Sequence, residues 1–348
     1  MNISRVRTML KARNHEFFRD RSALGWNFLF PFLIVVGFGI IFGGRDYSEY
    51  KIGIFPYASA EVDLAETDLP RSLQETRYIN FIGFQTLEQG LVRLQHHQID
   101  LLLKLHSPAH QYWVNKSSPK GYLVEKIFQA GLIPPELRRG EKEEIQGREI
   151  RYIDWLFPGI LAMNMMFSAL WGVGYVVVRY RKNGVLKRLK VTPLTAFEYL
   201  SAQMLSRIFL LMFTLIVVWI GSDLIFSFEV AGSYRDLFLV FFLGGLSLSS
   251  MGLLLAARGT SEEFTSGILN FISWPMMFLS EVWFSLEGAP QWVKNLAQFL
   301  PLTHLIRAAR RIMNDGAGLF DVSLECAVLL LTTLAFLALG AWLFSWNR

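Results

Sequence analysis

The sequence predicts an α-helical membrane protein: six transmembrane helices, an extracytoplasmic α/β domain between the first and second, and an N-terminal interfacial amphipathic helix. Three observations carry this. Apolar residues gather in six runs of 21 to 24 residues, Lys and Arg alternate sides along those runs, and one long polar insertion mixes strand and helix patterns. Hydrophobic residues make up 52% of the 348 positions, charged residues 18%, and mean hydropathy is +0.33. An average soluble domain has ~25% charged residues, so the composition excludes a disordered chain, a nucleic-acid-binding arm and an ordinary soluble enzyme.

A bilayer span needs ~20 apolar residues. The candidate spans are 24–44, 155–178, 208–228, 237–257, 264–284 and 326–346, and the only charges within them are Asp223 and Glu281. Helices follow because backbone polar groups in lipid must pair within their own segment. With the N-terminus inside, the inner segments carry 15 basic residues in 60 positions and the short outer segments 5 in 49. That bias predicts cytoplasmic N- and C-termini, despite Arg307, Arg310 and Arg311 on the outer side. The first span reads as a signal anchor: its apolar stretch is full length and Phe42-Gly43-Gly44 offers no small-residue cleavage site. Cys326 is the sole cysteine, so no intrachain disulfide supports the outer domain.

Residues 1–23 place Ile3, Val6, Leu10 and Phe17 among Arg5, Arg7, Lys11, Arg13, Arg19 and Arg21, the pattern of a helix lying on the membrane's inner face. Residues 45–154 form the outer domain. Strands are predicted at 51–55, 78–82, 99–105 and 111–114 and helices at 86–98 and 119–130, an α/β mixture. Residues 135–150 are charged and connect it to the second span. The remaining 155–346 hold five helices, with short outer helices over 285–325.

Several chemistries are absent. The chain has no G-x-x-x-x-G-K-[ST] phosphate loop, no H-E-x-x-H zinc pair and no G-x-S-x-G elbow, so it should not hydrolyse ATP by itself. His106 and His110 are four apart, but Pro108 intervenes and no metal site is expected. No catalytic or cofactor-binding residue is predicted. Polar residues at membrane depth are the functional candidates, because burying them in lipid is costly. These are Asn164, Asn270 and Glu281, with Trp274 beside them, as lining of a substrate pathway. Ser247-Leu248-Ser249-Ser250 fits either a pathway lining or hydrogen bonding between helices.

The most distinctive segment runs Arg179-Tyr180-Arg181-Lys182-Asn183-Gly184-Val185-Leu186-Lys187-Arg188-Leu189-Lys190-Val191-Thr192-Pro193-Leu194. Thr192 and Pro193 suit the cap and first turn of the following helix. This segment resembles the cytoplasmic coupling segment of ABC-2 type permeases, the membrane subunits of one class of ABC exporters. Phe157-Pro158-Gly159-Ile160-Leu161, residues 275–284, Pro290-x-Trp292 and Leu300-Pro301-Leu302-Thr303-His304 with Arg307 agree with the family in order, so the likeness covers essentially the whole chain. It departs at Lys182, where the family commonly has Glu, at Glu281, where it has a small residue, and at Ser285, where it has proline.

The resemblance implies a permease of the drug and antibiotic exporter-like branch, in the bacterial inner membrane, moving an amphipathic drug-like compound or lipid outward. It implies two copies of an ATP-binding subunit, which carry ATP and Mg, and a second permease copy or homologue, all among membrane lipids. Arg181, Lys182, Gly184, Lys187, Arg188, Thr192 and Pro193 would then couple to the ATPase. The rival reading is a membrane-anchored sensor or regulatory protein whose outer domain binds a ligand. It would need a cytoplasmic output domain, and the inner segments offer only those 60 residues in pieces.

Overall fold

The computed structural model describes residues 2–42, 50–107, 111–133, 150–257, 259 and 261–343. It separates into two compact units, 44–148 and the remainder.

The smaller unit is built on a four-stranded sheet: β1 (Tyr50–Phe55), β2 (Ile79–Gly83), β3 (Leu101–Lys104) and β4 (Tyr112–Val114) in the order β2-β1-β3-β4. β1 pairs in parallel with both β2 and β3, while β4 returns antiparallel to β3. Successive strand side chains point to opposite faces, and both faces are covered. Ile52, Ile54, Leu101 and Leu103 pack with Leu73 of α3 (Arg71–Gln74) and with Val124 and Phe128 of α5 (Pro119–Gly131). Phe55 and Leu102 face Leu94, Leu91 and Leu87 of α4 (Leu87–Gln95). The helix patterns of 86–98 and 119–130 fall on α4 and α5. The four-residue α3 carries too few turns for periodicity to reveal. His106 lies 3.6 Å from Asp68; His110 and most of the 135–150 connector lie outside the described residues.

The larger unit is helical. Among the described residues five helices are long and apolar enough to cross a membrane: within 24–42, 152–182, 196–226, 234–256 and 323–343. They belong to α2 (Arg21–Phe42), α6 (Tyr152–Ala169) continued through a π segment at 170–175 into α7 (Val176–Lys182), α9 (Ala196–Phe226), α10 (Tyr234–Ala256) and α14 (Ser323–Leu343). α11 (Glu262–Leu279) has 18 residues, opens on Glu262 and Glu263, and contains Asn270, Ser266 and Ser273. At ~1.5 Å per residue it is about 27 Å long, just short of a ~30 Å hydrocarbon core. Its span reading over 264–284 extends past the helix, whose Ser280 C-cap precedes a left-handed Glu281 (φ 61°).

α10 is the hub. It packs on α14, on the π segment, and on α13 (Pro301–Asp315), the larger of two short helices in the 285–325 stretch, the other being α12 (Gln291–Ala297). Small residues make this contact close. A Cβ on Gly244 would lie 2.6 Å from the methyls of Leu305. Gly244→Val is expected to overpack this contact at a cost of about 1–3 kcal/mol, read as a lowered melting temperature of the detergent-purified chain. The serine run on α10 serves helix packing: Ser247 Oγ is 2.7 Å from Thr332 Oγ1 of α14, and Ser250 bonds back to Leu246 and Ser247 carbonyls.

Two element boundaries differ from the sequence reading. The apolar run of the third span starts at 208, just after Arg207, yet α9 begins at Ala196 and Arg207 lies inside its buried face. The helix that Thr192 and Pro193 were expected to open begins three residues later. Thr195 is the N-cap, closing a capping box with Glu198, while the Thr192 hydroxyl donates to the Leu189 carbonyl at the end of α8 (Val185–Lys190). Both Thr-x-x pairs look alike in sequence. Only Thr195 has Glu three residues on.

Candidate functional site: a buried arginine cavity and a basic turn

The second span is one continuous apolar run in sequence, but its 170–175 portion is a π segment. π geometry shifts the hydrogen-bond register and frees backbone acceptors. Gln203 of α9 supplies one missing donor, its Nε2 reaching the Gly172 carbonyl at 3.3 Å. Gly172 also permits close approach, since a Cβ there would fall 2.0 Å from the Arg207 guanidinium carbon. Arg207 is 8% exposed. It donates through Nη2 to Ser168 Oγ, which in turn donates to Asn27 Oδ1 of α2 at 2.8 Å. Arg207 Nε and Gln203 Oε1 are buried without hydrogen-bond partners.

These groups open into a cavity of about 650 Å³. α1 (Ile3–Arg19), α2, α6 with the π segment and α7, α9 and α11 all contribute to its wall. Its lining runs from Met163 to Arg179, roughly 24 Å at the helical rise. Aromatic rings dominate the middle: Phe167 packs on Trp171 at 5.8 Å and edge-on to Trp274 at 6.3 Å. Charged groups sit toward the α1 end. Arg13 pairs with Glu16 at 2.6 Å and stacks over Tyr180, and Asp20 and the exposed Arg179 also line the cavity.

Of the four pathway candidates, the structure brings Asn164 and Trp274 together in this lining. Asn270 is exposed on α11, outside it. Glu281 is elsewhere: its Oε2 lies 3.8 Å from Arg310 and its Oε1 accepts from the Leu286 amide. Arg310 is buried, donates to the Trp155 and Glu281 carbonyls at 3.0 and 2.6 Å, and lies 3.6 Å over the Trp155 ring. Arg207, Gln203 and the π segment escaped the sequence reading. A cation four residues after Gln203, just before the apolar run at 208, reads as loop, and only burial reveals it as lining.

The basic turn lies at the end of α7. Among its seven candidate residues, Arg181 points inward. It donates to the Ala256, Ala257 and Gly259 carbonyls, capping the end of α10. Lys182 pairs with Glu262 and Glu263 at the start of α11, at 3.6 and 3.5 Å. Gly184 adopts φ 67°, the left-handed turn that starts α8. Leu186 and Leu189 of α8 pack beneath, with Tyr199, Leu200 and Met9. Lys187, Arg188, Lys190, Thr192 and Pro193 remain exposed, joined by Val191 at 87% and Phe197 at 67% exposure. α1 braces the same corner: the Asn2 amide donates to Glu198 at 2.6 Å, Arg5 donates to the Pro193 carbonyl, and Ser206 Oγ donates to Asn14 at 2.6 Å.

The cap assignment is directly testable. Thr195→Ala is expected to cost about 1 kcal/mol of stability, and Thr192→Ala clearly less. Thermal melts of the two variants side by side check it, and the reverse order would restore Thr192 as the cap.

Among the described residues no three His, Cys, Asp or Glu side chains gather as a metal site. Comparison with known proteins supplies a family. A family model described as ABC-2 family transporter protein matches residues 21–342. The probable multidrug ABC transporter permease YbhR of Escherichia coli K12 is 25% identical over 166 residues, 47% of this chain and 45% of that protein. The inner membrane transport permease YhhJ of the same strain is 26% identical over 170 residues, 47% and 44% of the two chains. The daunorubicin resistance ABC transporter permease protein DrrB1 of Streptomyces coeruleorubidus is 23% identical over 181 residues, 51% and 63%. The matched region thus spans about half the length of the first of these relatives. The match across residues 21–342 places the chain in the ABC-2 transporter family.

Proposed function

We propose that the chain is the permease subunit of an ATP-driven exporter of the bacterial inner membrane, with both termini cytoplasmic. A separate ATP-binding subunit, in two copies carrying ATP and Mg, docks on the exposed face of Lys187, Arg188, Lys190, Val191 and Phe197, and a second permease copy completes the pathway. α11 is the sixth span in this reading, α1 lies at the inner surface, and the sheet unit faces outward. Exposed apolar side chains along α2 and α14, such as Leu33, Ile40, Leu331 and Leu334, fit contact with lipid.

One observation carries the reading: the helices that hold the basic turn are the helices that wall the cavity. α9 starts at that turn and carries Arg207, while α7 ends at it and continues from the π segment. A push on the turn by a closing ATPase pair is therefore delivered to two cavity walls, a rigid-body route for switching access. The cargo in this reading is an amphipathic compound or lipid entering from the inner side. The reading is tested by co-purification with candidate ATP-binding subunits and reconstitution in vesicles. ATP-dependent export only by the complex is expected; ATP hydrolysis by the purified chain alone, or transport without an ATPase, overturns it.

A further inference from the structure

We propose that Arg207 is an anion-recognition residue, and that the cavity takes an amphiphile with one acidic head group, a carboxylate or phosphate, and an apolar body laid along Phe167, Trp171 and Trp274. This deepens the exporter reading, on which the ligand's role as cargo rests.

The argument begins with cost. A guanidinium within an apolar helix bundle is expensive unless its charge and donors are compensated. Among the described residues Arg207 enters no ion pair, and its Nη2 hydrogen bond goes to a neutral serine. Its Nε has no partner, and the adjacent Gln203 Oε1 has none either. The carboxylates that line the cavity do not meet this need: Glu16 is engaged by Arg13 and Tyr180, and Asp20 accepts from the Ser22 amide. The unpartnered Nε–H, with the guanidinium hydrogens that Ser168 does not take, is matched to the oxygens of a carboxylate or phosphate.

Placement agrees. Gly172 removes the side chain that would otherwise occupy the guanidinium's position, so Arg207 lies against the π segment at the cavity wall. Phe167, Trp171 and Trp274 line the same cavity, which suits a ligand with one charged end and an apolar remainder.

The test uses the full chain in uncharged detergent without any ATPase, reading quenching of tryptophan fluorescence by 9,10-dibromostearate and by its methyl ester. Wild type is expected to bind the acid at least tenfold more tightly than the ester. R207Q is expected to bring the acid down to the ester's affinity while leaving the ester unchanged, and R207K to keep only part of the preference. Equal affinity for acid and ester in wild type, which needs no variant to fold, overturns the proposal, as does an undiminished acid preference in R207Q. Brominated phosphatidylglycerol against brominated diacylglycerol distinguishes the sources. Arg207-dependent quenching by the former identifies a lipid head group, and quenching by the free acid alone identifies a single-chain acid. Because no ATPase is present, failure here leaves the exporter reading intact, and loss of ATPase assembly would leave this result intact.

Discussion

Reversing both charges in Lys187→Glu/Arg188→Glu is expected to reduce co-purified ATP-binding subunit and permease-stimulated ATPase activity at least tenfold, with the melting temperature of the permease nearly unchanged. The dissociation between assembly and stability follows from which side of α8 each residue occupies. Leu186 and Leu189 fix the helix by packing against Tyr199 and Leu200, and neither is touched. Lys187 and Arg188 are exposed and make no ion pair among the described residues, so their replacement removes little internal energy. Against an acidic partner surface, two attractions become two repulsions, and like charges across an interface cost several kcal/mol. Val191 and Phe197 give the surface an apolar anchor flanked by cations, so the wild-type complex should weaken only partly in high salt. Assembly and ATPase coupling retained in the double variant would move the docking surface off this turn.

The largest stability effect is expected at Arg310. Arg310→Met should cost about 3 kcal/mol or more, because it strips donors from the buried Trp155 and Glu281 carbonyls and removes the cation from the Trp155 ring. Arg310→Lys should recover only part, since an ammonium lacks the planar fork that bonds two carbonyls at once. Glu281→Gln should cost less than about 1 kcal/mol: the 3.8 Å ion pair is the loosest of the Arg310 contacts, and the Gln side-chain oxygen can still accept from the Leu286 amide. Thermal unfolding of the three variants in one detergent checks the order. A larger loss for Glu281→Gln than for Arg310→Lys would make the ion pair, rather than the carbonyl bonds, the fastening of this corner. Either way Glu281 is held by the fold just past the end of α11 and is not among the residues lining the cavity with Asn164 and Trp274. As a pathway candidate it is therefore weaker than those two.

What could be read along the chain is whatever depends on neighbours in sequence. Runs of apolar residues located the long helices because a span satisfies its own backbone. Short apolar runs set between helical stretches located the four strands of the sheet unit and the pairing of β3 with β4. The basic turn and its Thr-Pro-Leu exit were visible because charge and turn chemistry are local. A charge is ambiguous in one dimension, however. Arg181, Arg207 and Arg310 read as inner-loop or outer-loop cations that set orientation, and each is instead buried, bonded to carbonyls or a hydroxyl contributed by another helix.

The sequence by itself thus determined the class of protein, the rough limits of the five long apolar helices, the α/β character of the insertion and the position of the basic turn. Tertiary structure decided which cations are surface and which are interior, and that the second span carries a π segment opposite Gln203. The physical reason is the same in each case. Hydrophobic and turn signals are set by residues a few positions apart, whereas the cost of a buried charge or a freed carbonyl is met by groups such as Ser168 and Arg207, or Trp155 and Arg310, that only folding brings within hydrogen-bond distance.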